Sequence, residues 1–201
     1  MTPKRLAFAI LPLAFFACSG DNTIIYGGQT YKTVKIGKQV WLAENLNYDI
    51  EGSVCYENNP ANCAKYGRLY DYWTAKKVCP KGWHLPSNAE WDKLYRFVDG
   101  DKGKKSPYDS KTAGKYLKAV SGWDENGNGT DKYGFSALPG GYGRADGIFN
   151  TVGSRGLWWS ASGAEYYSSN AYYRYMDYNN DYAYWYYLYK SDLFSVRCVK
   201  D

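Results

Sequence analysis

Behind the basic pair Lys4 and Arg5, an apolar run fills positions 6–17 and only Pro12 interrupts it. A charged start followed by a run of this length matches the first two regions of a secretory signal peptide, and it is too short to stay in a bilayer as a spanning helix. From Val34 the pattern turns to alternation, with Val34, Ile36, Val40 and Leu42 placed around Gly37 and Lys38. This predicts a β-hairpin. Leu69, Tyr72, Trp73 and Val78 then recur at helical spacing, and Cys79, Pro80 and Gly82 end the predicted helix. A second helix is predicted after Pro86. Ser87 and Glu90 have the spacing of a capping box, and Trp91, Leu94, Tyr95 and Val98 carry one apolar face to Asp99 and Gly100. A short third helix is expected over 113–120.

From Trp123 onward the texture changes to glycine, aromatics and short apolar runs at 133–141, 156–162 and 194–199, which read as short strands joined by long loops. A hairpin, two main helices and then an irregular β-rich half predict an α+β domain in one piece, and 201 residues suit a single domain. The expected boundaries are a leader over 1–17, a lipidated cysteine and polar tether over 18–28, and the folded domain over 29–201.

The formal net charge of +5 drops to +3 when Lys4 and Arg5 leave with the leader, and no basic cluster remains in the folded part. Nucleic acid is therefore not an expected partner. The leader ends in Phe15, Phe16, Ala17, Cys18, Ser19 and Gly20, which looks like a bacterial lipobox in which Cys18 takes the lipid. An ordinary signal peptide cut near Ala17 is the alternative. Both export the chain, and the lipidated form would sit at the outer membrane, the cell surface or in the periplasm. Export makes the remaining Cys55, Cys63, Cys79 and Cys198 disulfide candidates, with three possible connectivities. The favoured one joins Cys55 to Cys63 around a polar loop and Cys79 to Cys198 near the end of the chain. A metal site on the four cysteines lacks support, since no C-x-x-C pair or second histidine is present.

The stretch Gly82, Trp83, His84, Leu85, Pro86, Ser87, Asn88, Ala89, Glu90, Trp91 resembles the Fibrobacter succinogenes major paralogous domain family. Supporting stretches lie at 33–48, 66–70, 134–141 and 195–200, so the resemblance covers about Thr30 to Asp201. More distantly, the Leu-Pro-x-x-x-Glu-Trp core and the Arg197, Cys198, Val199 ending look like the formylglycine-generating enzyme group. The resemblance implies a C-type lectin-like fold, with a small twisted antiparallel sheet, two main helices, long loops at one end and paired terminal strands. It also implies a disulfide from the first helix to the last strand, in agreement with Cys79 and Cys198. A family resemblance of this kind does not fix function.

Catalytic chemistry finds few candidates. A formylglycine-generating oxidase needs a redox-active or copper-binding cysteine pair in its cleft, and the sequence offers none. His84, the single histidine, has a structural reading, and Asp92, Asp99 and Asp101 fit a helix surface and its exit. No catalytic set is expected. Asp124, Asn126 and Asn128 place oxygen ligands at alternate positions in a glycine-rich stretch, with Asp131 three residues further on, as a calcium loop does, but Phe135 stands where its last ligand belongs. A plain turn is the competing reading, and Ca²⁺ is the one cofactor considered.

The least ordinary segment is 165–190, where eleven of 26 residues are Tyr and most others are Asn, Asp, Ser or Ala. Core packing would favour Val, Ile and Leu. Tyrosine instead joins a broad apolar face to a hydroxyl and freezes only two torsions on contact, as in antibody paratopes. The candidate ligand-binding residues are Tyr166, Tyr172, Arg174, Tyr175, Tyr178, Asn180, Tyr182, Tyr184, Trp185 and Tyr187. The same vocabulary resembles the variable regions of retroelement-diversified proteins of the C-type lectin fold. The expectation is a monomeric, membrane-anchored surface module that binds a polysaccharide or a protein. Its alternatives are a structural envelope lipoprotein without ligand, in which the Tyr-rich edge is only packed, and an oxidase of the formylglycine-generating type.

Overall fold

The computed structural model describes residues 22–100 and 110–201. The leader, Cys18, the start of the tether and Asp101 lie outside them. In chain order the strands are β1 (Thr23–Tyr26), β2 (Gln29–Ile36), β3 (Gln39–Leu42), β4 (Ser53–Val54), β5 (Leu69–Tyr70), β6 (Trp83–His84), β7 (Gly140–Gly143), β8 (Phe149–Val152), β9 (Arg155–Gly163), β10 (Asn170–Asp177), β11 (Ala183–Tyr189), β12 (Phe194–Ser195) and β13 (Val199–Lys200). The helices are α1 (Pro60–Tyr66), α2 (Tyr72–Ala75), α3 (Asn88–Val98) and α4 (Ala113–Leu117). The fold is thus α+β, dominated by sheet.

One sheet has the order β1-β2-β3-β13-β6, and a second runs β11-β10-β9-β12-β5-β4, with β7 also beside β9 and β8 beside β7. The expected hairpin is β2 with β3, in register from Thr33 opposite Leu42 to Ile36 opposite Gln39. The last strand closes on it, with Val199 opposite Trp41. The first sheet starts earlier than expected. β1 lies within the stretch read as tether, where Ile24 and Tyr26 pack on the core while Ile25 faces solvent.

The helices follow their local signals unevenly. α3 carries the anticipated capping box: Ser87 Oγ accepts from the Glu90 N–H, and Glu90 Oε2 accepts from the Ser87 N–H at 2.8 Å. The helix expected from Leu69 is shorter than its periodicity, because Leu69 and Tyr70 pair with β4 and β12 as β5. Only α2 remains helical, started by Asp71, whose Oδ1 accepts from the Thr74 N–H at 2.8 Å. α1 occupies part of the loop between Cys55 and Cys63, with Asn59 as cap and Pro60 in the first turn.

Two cores lie on opposite faces of the β9–β10 region. Trp159, Tyr173, Phe194, Tyr72 and Val196 fill one, and Trp158, Trp91, Trp41, Met176 and Ala183 fill the other beneath α3 and α4. Adjacent tryptophans on β9 serve different cores because successive strand residues point to opposite faces. Fully buried Arg197 ties the sheets together. Its Nη2 donates to Asn45 Oδ1 at 2.8 Å, an oxygen that also accepts from Trp158 Nε1 at 2.8 Å, while Nη1 reaches the carbonyl of Leu42 at 3.2 Å. The disulfides are Cys55–Cys63 and Cys79–Cys198, the favoured pairing. Such bonds fit an exported protein in an oxidising compartment. Among the described residues no helix is long and apolar enough to cross a membrane.

Candidate functional site

The Tyr-rich segment folds into the antiparallel hairpin of β10 and β11, and β11 ends the strand order of the larger sheet. Opposed pairs are Tyr172 with Tyr187, Tyr173 with Tyr186, Arg174 with Trp185, Tyr175 with Tyr184 and Met176 with Ala183. Alternation divides them. Tyr173 and Tyr175 join the core of Trp159 and Phe194, whereas Met176 and Ala183 join the core beneath α3 and α4. Inner positions of the hairpin are therefore structural on both faces, and its outer strand and connecting loops carry the exposed rings.

Two of the exposed rings, Tyr167 and Tyr186, join half-buried Tyr187, Tyr172 and Trp185 in a continuous set. Tyr167 stacks on Tyr187 at 5.3 Å and 20°, and Tyr186, which also meets Tyr173 edge-on, lies parallel to Tyr187 at 4.9 Å and 5°. Tyr172 meets Tyr187 and Trp185 edge-on, at 6.1 and 5.2 Å. On the other face Tyr175 stacks on Tyr184 at 4.8 Å, with the Arg155 guanidinium 5.9 Å from the Tyr175 ring. Mutual contact restricts the ring orientations in the chain by itself.

The candidate contact residues do not share one fate. Tyr166 is 91% exposed and Tyr182 is also exposed, while Tyr172, Tyr175, Tyr178, Tyr184, Trp185 and Tyr187 are half-buried. Arg174 is a correction: it is only 2% exposed, and its Nη2 donates to Asp92 Oδ1 at 2.9 Å and to the carbonyl of Asn88 at 3.1 Å. The register turns it toward α3, so it holds helix to sheet instead of facing outward. Burial is the largest influence on Asp92 and lifts its carboxyl above the ordinary value, against the pull of Arg174 and Arg96. Asn180 shapes the turn, its Oδ1 accepting from the Tyr182 N–H at 2.9 Å. Tyr167, Tyr186 and Tyr189 were not among the candidates, yet all three are exposed, Tyr186 by 53%.

The turn between β10 and β11 is gripped from outside the hairpin. Buried Lys118 donates to the carbonyls of Asp177 at 3.1 Å and Asn180 at 2.9 Å, and its ammonium lies 5.1 Å from the Trp123 ring. Burial pushes the Lys118 pKa below the usual lysine value, against Asp181 and Asp177. Gly114 and Gly127 make the grip possible. A Cβ on Gly114 would run into the Tyr182 carbonyl oxygen, and one on Gly127 into that of Tyr178.

The stretch read as a possible calcium loop supplies part of this cradle. Asp124 to Asn126 form a 3₁₀ turn; Asn128 Oδ1 accepts from the Trp123 N–H at 3.1 Å, and Asp131 Oδ1 from the Ser136 N–H at 2.7 Å. The Asp124 carboxylate stands beside Gly153. Among the described residues no three His, Cys, Asp or Glu side chains converge as metal ligands. His84 has two acidic partners far apart in sequence, Asp201 at 2.6 Å from Nδ1 and Glu90 at 2.7 Å from Nε2.

The family model for the Fibrobacter succinogenes major domain matches residues 34–200. The chain belongs to that family. No curated protein and no solved structure matched it. The matched span contains both disulfides, Lys118 and the entire β10–β11 hairpin. The Tyr-rich edge is thus part of the Fibrobacter succinogenes major domain itself and not an appendage to it, whereas β1 lies before the matched residues.

Proposed function

We propose that this chain is an exported binding module, anchored to a membrane through a lipid on Cys18, that presents its Tyr-rich hairpin to a polysaccharide on a C-type lectin-like scaffold. The observation that carries the reading is the contiguous set Tyr167, Tyr187, Tyr186, Tyr172 and Trp185, joined by two stacked and two edge-on ring contacts, in a segment that also exposes Tyr166 and Tyr189. Flat aromatic faces with hydroxyls at their rims suit sugar rings, whose C–H faces are apolar and whose edges are polar. The four described cysteines are all in disulfides, which supports a non-redox role.

The test is to screen the oxidised full-length protein against an array of cell-wall polysaccharides. A variant carrying Tyr167→Ser, Tyr186→Ser and Tyr189→Ser is screened beside it, with near-ultraviolet circular dichroism to verify its fold. Binding by the parent that the folded variant loses is the expected result. A parent that binds a protein from the same surroundings and no glycan would overturn the polysaccharide assignment.

A further inference from the structure

Among the described residues two large aromatics, Trp73 and Phe97, stand exposed well away from the Tyr-rich segment, and Trp73 is the more exposed. Trp73 is 55% exposed on α2, and the two residues before it are committed: Asp71 caps the helix, and Tyr72 turns inward to donate to the Ala161 carbonyl at 2.7 Å. Trp73 borders a groove of about 330 Å³ whose other walls include Phe149, Arg144, Asp71, Asn58 and Ser191. That is near the lower end of the volumes that hold small ligands, roughly 300–1,000 Å³. Ile148, also exposed, adjoins Phe149.

The chemistry of the walls narrows the occupant. They offer one guanidinium, one carboxylate, an amide and a hydroxyl around two aromatic faces, and Arg144 is already matched by Asp146 at 2.9 Å. A balanced set of donors and acceptors suits a neutral polyhydroxylated ring, and the Asp71 carboxylate in the wall opposes an anion. The groove also adjoins the hairpin. Ser191, in the groove wall, follows the end of β11 by two residues. At a strand rise of about 3.3 Å per residue, Tyr186 and Ser191 are at most on the order of 16 Å apart, within reach of a short oligosaccharide.

We infer that the Trp73 groove is a second contact site for the same polysaccharide, stacking one neutral pyranose ring on Trp73 while Arg144 and Asp71 hydrogen-bond its hydroxyls. The inference rests on the polysaccharide reading of the hairpin. Two sites on one chain make the second contact intramolecular, so the groove should matter for long ligands and little for short ones.

The experiment measures binding of cellohexaose, xylohexaose and laminarihexaose, and of their disaccharides, to the full-length protein by calorimetry. The parent, Trp73→Ala, Trp73→Phe and the triple hairpin variant are compared. For the hexasaccharide that the parent binds, Trp73→Ala should weaken affinity about tenfold, the order expected for one aromatic contact, and Trp73→Phe should retain most of it. The gain in affinity from disaccharide to hexasaccharide should shrink in Trp73→Ala. If Trp73→Ala binds as the parent does while the hairpin variant fails, the groove is no subsite and the hairpin reading stands. If the hairpin variant binds normally and Trp73→Ala does not, the groove stands and the hairpin reading falls. A parent that binds none of these sugars overturns both.

Discussion

Lys118 Nζ donates to the backbone carbonyl of Asn180 at 2.9 Å, so a lysine after a five-residue helix fixes the turn of a hairpin 62 residues away. Replacing it by Met keeps the apolar stem but leaves the carbonyls of Asp177 and Asn180 without this donor. The expected cost is about 2–4 kcal/mol for two under-satisfied buried groups. Urea unfolding gives the total, and amide exchange at 178–182 should rise more than elsewhere; uniform exchange would refute a local grip.

Gly127 tests the same cradle without touching a charge. Its Cβ would meet the Tyr178 carbonyl, so Gly127→Ala should destabilise by roughly 1–3 kcal/mol through overcrowding. The loss should be equal with calcium or with a chelator present. A midpoint restored by calcium alone would show that the segment also serves as an ion loop.

The cluster of Asp201, His84 and Glu90 makes stability depend on pH in a defined direction. Burial is the largest influence on His84 and favours the neutral ring, but the bonds to Asp201 and Glu90 outweigh it and hold the pKa above the ordinary 6.5. Burial alone would lift Glu90, yet the Ser87 and His84 bonds keep it below its ordinary 4.5. The His84 contribution is complete below 6.5 and lost as pH rises through its raised folded value; that of Glu90 is present above 4.5 and lost as pH falls through its lowered one. Thermal midpoints recorded from about pH 4 to 9 should therefore fall on the alkaline side. His84→Gln should flatten that limb, and a limb of unchanged slope would remove His84 from the explanation.

The disulfides should contribute unequally. Cys79–Cys198 spans 119 residues and Cys55–Cys63 spans 8, so the chain-entropy model assigns about 4.9 and about 2.5 kcal/mol to them. Removing each pair as a double Ser variant and comparing denaturation midpoints measures the ratio. Equal losses would mean that residual structure in the unfolded chain, and not loop length, sets the effect.

Much of this architecture was legible because the signals were local. Alternation around Gly37 and Lys38 marked the hairpin, and Ser87 with Glu90 marked the start of α3. What stayed hidden depended on partners distant in sequence. Leu69 and Tyr70 look helical until β4 and β12 pair with them, and β1 reads as tether until β2 does. Strand alternation implies that about half the tyrosines of an extended Tyr-rich run pack inward. It does not say which half, since that follows from the register with β9, shifted between Ala171 and Tyr173, and from α3 standing over Arg174. Tyr186 and Tyr189 on β11 fell outside the candidates for the same reason, and Tyr167 because it stands in the loop before β10.

The division of labour within the hairpin also bears on how such a protein changes over generations. Ala171, Tyr173, Arg174, Met176 and Ala183 are bound to two cores or to α3, whereas Tyr166, Tyr167, Tyr182, Tyr186 and Tyr189 keep their rings in solvent. Substitution at the second group removes little buried area and costs little folding free energy, generally within about 0.5 kcal/mol. Mutation there is then little filtered by folding, with no compensating change needed in the framework. Duplicated copies could drift apart at this surface while inheriting one framework, each new surface sampled at almost no risk to the fold beneath it.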